Sequence, residues 1–139
     1  MPNKVVVHYL DGAIEKGFTS DFQPHKEVFH LIVMRGTREK SIPVKFDNIK
    51  AIFFVKDFEG KKGSPDEAKK DFDETWNKDT SQVGKKVKVA FTDGEILHGL
   101  TLGYSTQRRG FFFTPIEADS NNERIFALLH AIKDIMFYD

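Results

Sequence analysis

The sequence predicts an all-β chain of two tandem, five-stranded small barrels joined by one short helix. Three observations carry this expectation. The stretch Lys86–Tyr104, KVKVAFTDGEILHGLTLGY, has an earlier counterpart in Lys4–Phe22, KVVVHYLDGAIEKGFTSDF, displaced by 82 positions. In both, apolar residues recur at every second position, Val5-Val7-Tyr9 and Val87-Val89-Phe91, the period of a strand with one buried face. Both then pass through Asp-Gly, at Asp11-Gly12 and Asp93-Gly94, where glycine supplies the positive φ of a tight hairpin.

The second strand of each copy carries a glycine, Gly17 and Gly99, at the same distance beyond the turn. Glycine inside a strand marks a bulge or sharp bend, as a small sheet needs in order to close. A polar loop, Gln23-Pro24-His25-Lys26-Glu27, leads to a third strand, Val28–Met34; its counterpart is Ser105–Gly110 followed by Phe111–Thr114. Arg35–Lys40 reads as a turn. The equivalent Glu117–Glu123 is one residue longer, so the offset becomes 83, pairing Ile42/Ile125, Ile49/Ile132, Lys50/Lys133, Ile52/Ile135 and Phe54/Phe137. Each copy therefore carries five short strands between turn signals, the pattern of a small antiparallel barrel. The expected organisation is a first barrel at 1–57, a linker at 58–83 and a second barrel at 84–139.

The linker has no counterpart. Within it Ser64-Pro65-Asp66-Glu67 has the form of a helix start, and Ala68, Phe72 and Trp76 form one apolar stripe. Phe53-Phe54-Val55 and Phe111-Phe112-Phe113 are apolar on both strand faces, which suits a contact between barrels or between chains.

Lys plus Arg equals Asp plus Glu at 21 each, so no net field draws the chain to nucleic acid or an anionic membrane. Fourteen Phe residues supply aromatic area for a core. No cysteine is present, which removes disulfide and thiolate chemistry. The start, MPNK, lacks an apolar leader and no run has the length of a membrane span, so a soluble, cytoplasmic protein is expected.

The alternating strand, the Asp-Gly hairpin, the glycine-bent strand and the later Val44-Lys45-Phe46-Asp47-Asn48-Ile49 together resemble the two sequence motifs of Sm-like proteins. That resemblance implies strongly bent five-stranded barrels of the SH3-like class, with RNA binding as the activity of some members. Those members carry Asp and Asn in the loop near the third strand and an Arg-Gly pair before Asp-Asn; here the positions hold Gln23-Pro24-His25 and Lys45-Phe46. AIFFVKDFEG (Ala51–Gly60) and SNNERIF (Ser120–Phe126) also resemble runs in an uncharacterised bacterial family of unknown function.

The five histidines, His8, His25, His30, His98 and His130, lack metal-ligand spacing, and no metal or cofactor is expected. Gly-x-Ser-x-Gly, the P-loop and the dinucleotide-binding glycine pattern are absent from the sequence, and a non-enzymatic binding or scaffolding module is expected. The expected partner is protein. RNA is the less favoured alternative, a nucleotide or cyclic dinucleotide a third, and a homodimer is left open. One polar cluster stands out as a ligand site: Arg108, Arg109, Asn121, Asn122 and Arg124, beside Asp119 and Ser120. Adjacent arginines can grip phosphate through their planar forks.

Overall fold

The computed structural model describes residues 2–58, 84–116 and 121–138. Ten strands form in chain order: β1 (Asn3–Tyr9), β2 (Ile14–Thr19), β3 (Val28–Arg35), β4 (Arg38–Lys45), β5 (Ile49–Val55), β6 (Lys85–Phe91), β7 (Ile96–Thr101), β8 (Gly110–Pro115), β9 (Asn122–Leu128) and β10 (Ile132–Phe137). A short 3-10 turn precedes each last strand, at Phe46–Asn48 and Leu129–Ala131. The helix expected near Ser64–Trp76 lies outside the described residues.

All ten strands join one antiparallel sheet in the order β10-β6-β7-β8-β9-β5-β1-β2-β3-β4. Each half contributes the same local order, and Val5↔Gly17 and Val87↔Gly99 hold matching places in their ladders. The expected pair of separate closed barrels is not what forms. The outer edge of β5, which would have to close the first barrel, is instead paired with β9 from the other half, through Ala51↔Ala127, Ile52↔Phe126 and Phe53↔Ile125. The sheet therefore runs on through both halves, and among the described residues it ends in two open edges, β10 and β4.

The hairpin chemistry is repeated closely. The Tyr9 amide donates to Ala13 O at 2.9 Å and the Phe91 amide to Glu95 O at 2.8 Å, closing three-residue loops in which Gly12 and Gly94 take φ of 93° and 97°. Asp11 and Asp93 each accept from the amide two residues on, at 2.9 and 3.0 Å. Gly17 and Gly99 serve a different need. A Cβ on Gly17 would collide with Ile32 O, and one on Gly99 with Thr114 O, so these glycines let β3 and β8 pass across the bent strands.

β5 is buried along its whole length, and the reason is its place between two cores. Ala51, Phe53 and Val55 pack with Val87, Val89, Phe91, Phe111 and Phe113 of the second half. Ile49, Ile52 and Phe54 pack with Val5, Val7, Phe29 and Leu31 of the first. β9 does the reverse: Ile125 and Ala127 serve the second core, Phe126 and Leu128 the first. Each half thus lends a strand face to the other. The doubly apolar run Phe53-Phe54-Val55 is the sequence trace of that exchange.

Candidate functional site

The polar residues singled out in the sequence separate into structural ties and surface groups. Arg109 is a tie. Its guanidinium donates to Glu27 Oε1 at 3.1 Å and to Asp47 Oδ1 at 3.2 Å, joining the second half to the first. Asn121 is another: its side chain accepts from the Asp57 amide and donates to Asp57 O, both at 3.0 Å. Asn122 and Arg124 lie in β9 rather than in a loop, in register with Val55 and Phe54. Of the five, Arg108 and Arg124 line a common groove. Asp119 and Ser120 lie outside the described residues.

Three further ties between or within the halves are not evident from the sequence. Lys50, buried on β5, binds Asp93 at 2.7 Å and Glu95 at 2.5 Å in the β6–β7 turn, and sits 4.6 Å from the Phe91 ring centroid. His130 meets Ile49 O through Nε2 at 2.7 Å. Asp21 accepts from the His30 amide at 2.9 Å and lies 2.8 Å from the His30 ring. Burial alone would raise the Asp21 carboxyl, but the His30 amide, the His30 ring and the Thr19 hydroxyl favour its charged form and hold it below the ordinary value. At Asp93 burial is likewise outweighed, by the Lys50 ammonium and the Glu95 amide, and the carboxyl is held low. Among the described residues no group of three His, Asp or Glu could hold a metal ion.

The most distinctive surface is the β10 edge. The Tyr138 amide donates to Lys86 O at 3.1 Å, and antiparallel alternation then aims the backbone groups of Asp134 and Met136 at β6. Those of Ile135 and Phe137 face outward, unpaired by any described strand. Beside them runs a groove of about 580 Å³ lined by Lys85, Thr101, Leu102, Tyr104 and Phe137. Leu102 is 82% exposed, and Met136 and Phe137 are also exposed. Tyr104 and Phe137 stack edge-on with centroids 5.3 Å apart.

The equivalent place in the first half is covered. Phe22, the counterpart of Tyr104, sits against Phe54, the counterpart of Phe137, at 5.3 Å. There Phe112 and Phe126 from the neighbouring half close over Phe22 at 6.0 and 5.3 Å, while β9 fills the edge.

The other open edge is blunted. The Phe46 amide donates to Glu27 O, so alternation turns the nitrogen of Pro43 outward, where it has no hydrogen to give. Arg38, Glu39, Lys40 and Lys45 line the same strand, and charge and proline both discourage edge pairing.

Compared with known proteins, residues 1–138 match the model of a family described as a family of unknown function (DUF6982). No curated protein and no solved structure matches the chain.

Proposed function

Because the chain belongs to the DUF6982 family, whose function is unknown, its role is read from its own surface, and we propose that it is a non-enzymatic protein-binding module. In this reading β10 accepts an extended segment of a partner protein as an additional antiparallel strand. The observation that carries it is the contrast between β5 and β10: the first has its strand and its aromatic cover, the second has neither among the described residues. Strand addition supplies affinity through the outward groups of Ile135 and Phe137, and the Tyr104–Phe137 groove supplies specificity for apolar side chains at alternate positions.

A different protein suits the edge better than a second copy. A second copy would offer β4, with Pro43 and Ser41 where β9 places Phe126 and Arg124, and His30 where β8 places Phe112. The missing Pro43 hydrogen and the lost aromatic rings make that junction poorer than the internal one.

The test is selection of extended peptides from a random displayed library, followed by hydrogen exchange of the chain with and without a winning peptide. Binders should carry apolar residues at alternate positions and slow exchange at Ile135 and Phe137. Ile135→Pro removes an outward donor without breaking the β6 ladder, and should weaken binding about 10-fold while the chain stays folded. Peptides that bind and leave exchange along β10 unchanged would remove this reading. Self-association that saturates the same edge would transfer it to a second copy.

A further inference from the structure

A second groove, of about 400 Å³, opens where the halves meet, with Pro24 from the first half and Arg108, Leu102, Phe111, Phe112 and Arg124 from the second in its walls. Its size is in the range of small-ligand sites. Two arginines line it, Arg108 and Arg124, and neither forms an ion pair with another described residue. That sets them apart from Arg35, Lys50 and Arg109, which hold carboxylates at Glu15, at Asp93 and Glu95, and at Glu27 and Asp47. No carboxylate lines the groove among the described residues.

The two arginines are held differently. The Arg124 guanidinium lies 4.4 Å from the Phe54 ring centroid and 4.7 Å from that of Phe112, so two rings fix its position before anything binds. Arg108, exposed as Arg124 is, has no ring contact among the described residues and continues into an adjoining cleft with Pro24, His25, Gln107 and Arg109. A pre-set fork on one side and a free one on the other suit a dianion that both can bind through paired N–H donors. The remaining wall is apolar, with Leu102 projecting from it, and the volume is larger than an inorganic phosphate needs.

We propose that this groove binds a nucleoside monophosphate, the phosphate held by Arg108 and Arg124 and the base lying along Leu102 and the phenylalanine wall. No bond is made or broken. The groove shares Leu102 with the one beside the β10 edge, but neither arginine lines that one.

Calorimetric titration of the full chain with adenosine, guanosine, cytidine and uridine 5′-monophosphates tests this, with inorganic phosphate, the free nucleosides and a short oligoribonucleotide beside them. At least one monophosphate should bind saturably, with phosphate and nucleoside each at least about 10-fold weaker. Arg108→Ala should weaken it roughly 10- to 100-fold at an unchanged melting temperature. Arg124→Gln, which keeps a polar side chain in β9 but removes the guanidinium over Phe54 and Phe112, should do the same. Met136→Lys, on the β10 edge, should leave it unaltered. The proposal is overturned by the absence of saturable monophosphate binding, by inorganic phosphate binding equally well, by an oligoribonucleotide binding where no monophosphate does, or by indifference to both arginine substitutions.

Discussion

Arg109 binds its own sequence counterpart, Glu27, across 82 positions, Nη2 donating to Oε1 at 3.1 Å. One copy of the position became cationic and the other anionic, and the fold brings the two together at the seam between the halves. The cation therefore serves the fold, although its neighbour Arg108 faces a groove.

Charge exchange at this pair provides the first prediction. Arg109→Glu should lower stability by about 0.5–1 kcal/mol, the range for a solvent-exposed network, since Glu27 and Asp47 are about four-fifths exposed. Adding Glu27→Arg should recover part of that loss. Urea unfolding of the single and double variants measures both, and an additive double variant would show that the pair is not coupled.

The glycines should rank by mechanism. Gly99→Ala places a methyl group into the Thr114 carbonyl and the Phe113 ring, and should cost about 1–3 kcal/mol or more. Gly94→Ala meets no atom within 4 Å and bears only the strain of its φ of 97°, about 1–2 kcal/mol. Denaturant midpoints that place Gly94→Ala well below Gly99→Ala would reverse this account.

Because each core is walled by a strand from the other half, unfolding should be one transition. Ile52→Ala in the first core and Ile125→Ala in the second should each lower stability by about 2–5 kcal/mol and shift the one midpoint down. Calorimetry that resolves two transitions, or shows one half melting alone in either variant, would contradict the exchange of strands.

Acid should weaken the fold through Asp21 and Asp93. Both carboxyls are held below their ordinary value of 3.8, so the folded state favours their charged forms. Their contribution is complete above that value and is lost as pH falls through the lowered folded values. Asp21→Asn should therefore flatten the fall in melting temperature between pH 5 and pH 2. An unchanged acid limb would mean that the His30 and Thr19 bonds to Asp21 contribute nothing to it.

At the open edge, backbone exchange should alternate. Amides of Asp134 and Met136, aimed at β6, should exchange more slowly than those of Ile135 and Phe137. Nuclear magnetic resonance of the free chain reads this directly, and uniform protection along β10 would show the edge to be covered.

Much of this architecture is written locally. Alternation at Val5-Val7-Tyr9 and Val87-Val89-Phe91 marks the strands, and Asp11-Gly12 and Asp93-Gly94 mark the loops because only their own φ angles are involved. Phe53-Phe54-Val55 even announces a strand buried on both faces. Which strand covers β5 is a long-range matter that no local pattern encodes, and so closure within each half looked as reasonable as exchange between them. The candidate site divides for a similar reason. Arg108 and Arg109 are neighbours in sequence, yet one lines the arginine groove and the other is committed to Glu27 and Asp47. Arg124 belongs with Arg108 only because β8 and β9 lie side by side.

The lent face of β5 has a bearing on synthesis. β5 ends at Val55, whereas β9, its cover, begins at Asn122. At 5–20 residues per second the ribosome needs roughly 3 to 13 seconds to bridge that interval. During that delay β5 has β1 along one edge, but its other edge and the second-core face of Ala51, Phe53 and Val55 wait for their cover, and the nascent first half presents a sticky surface that a holding chaperone would recognise.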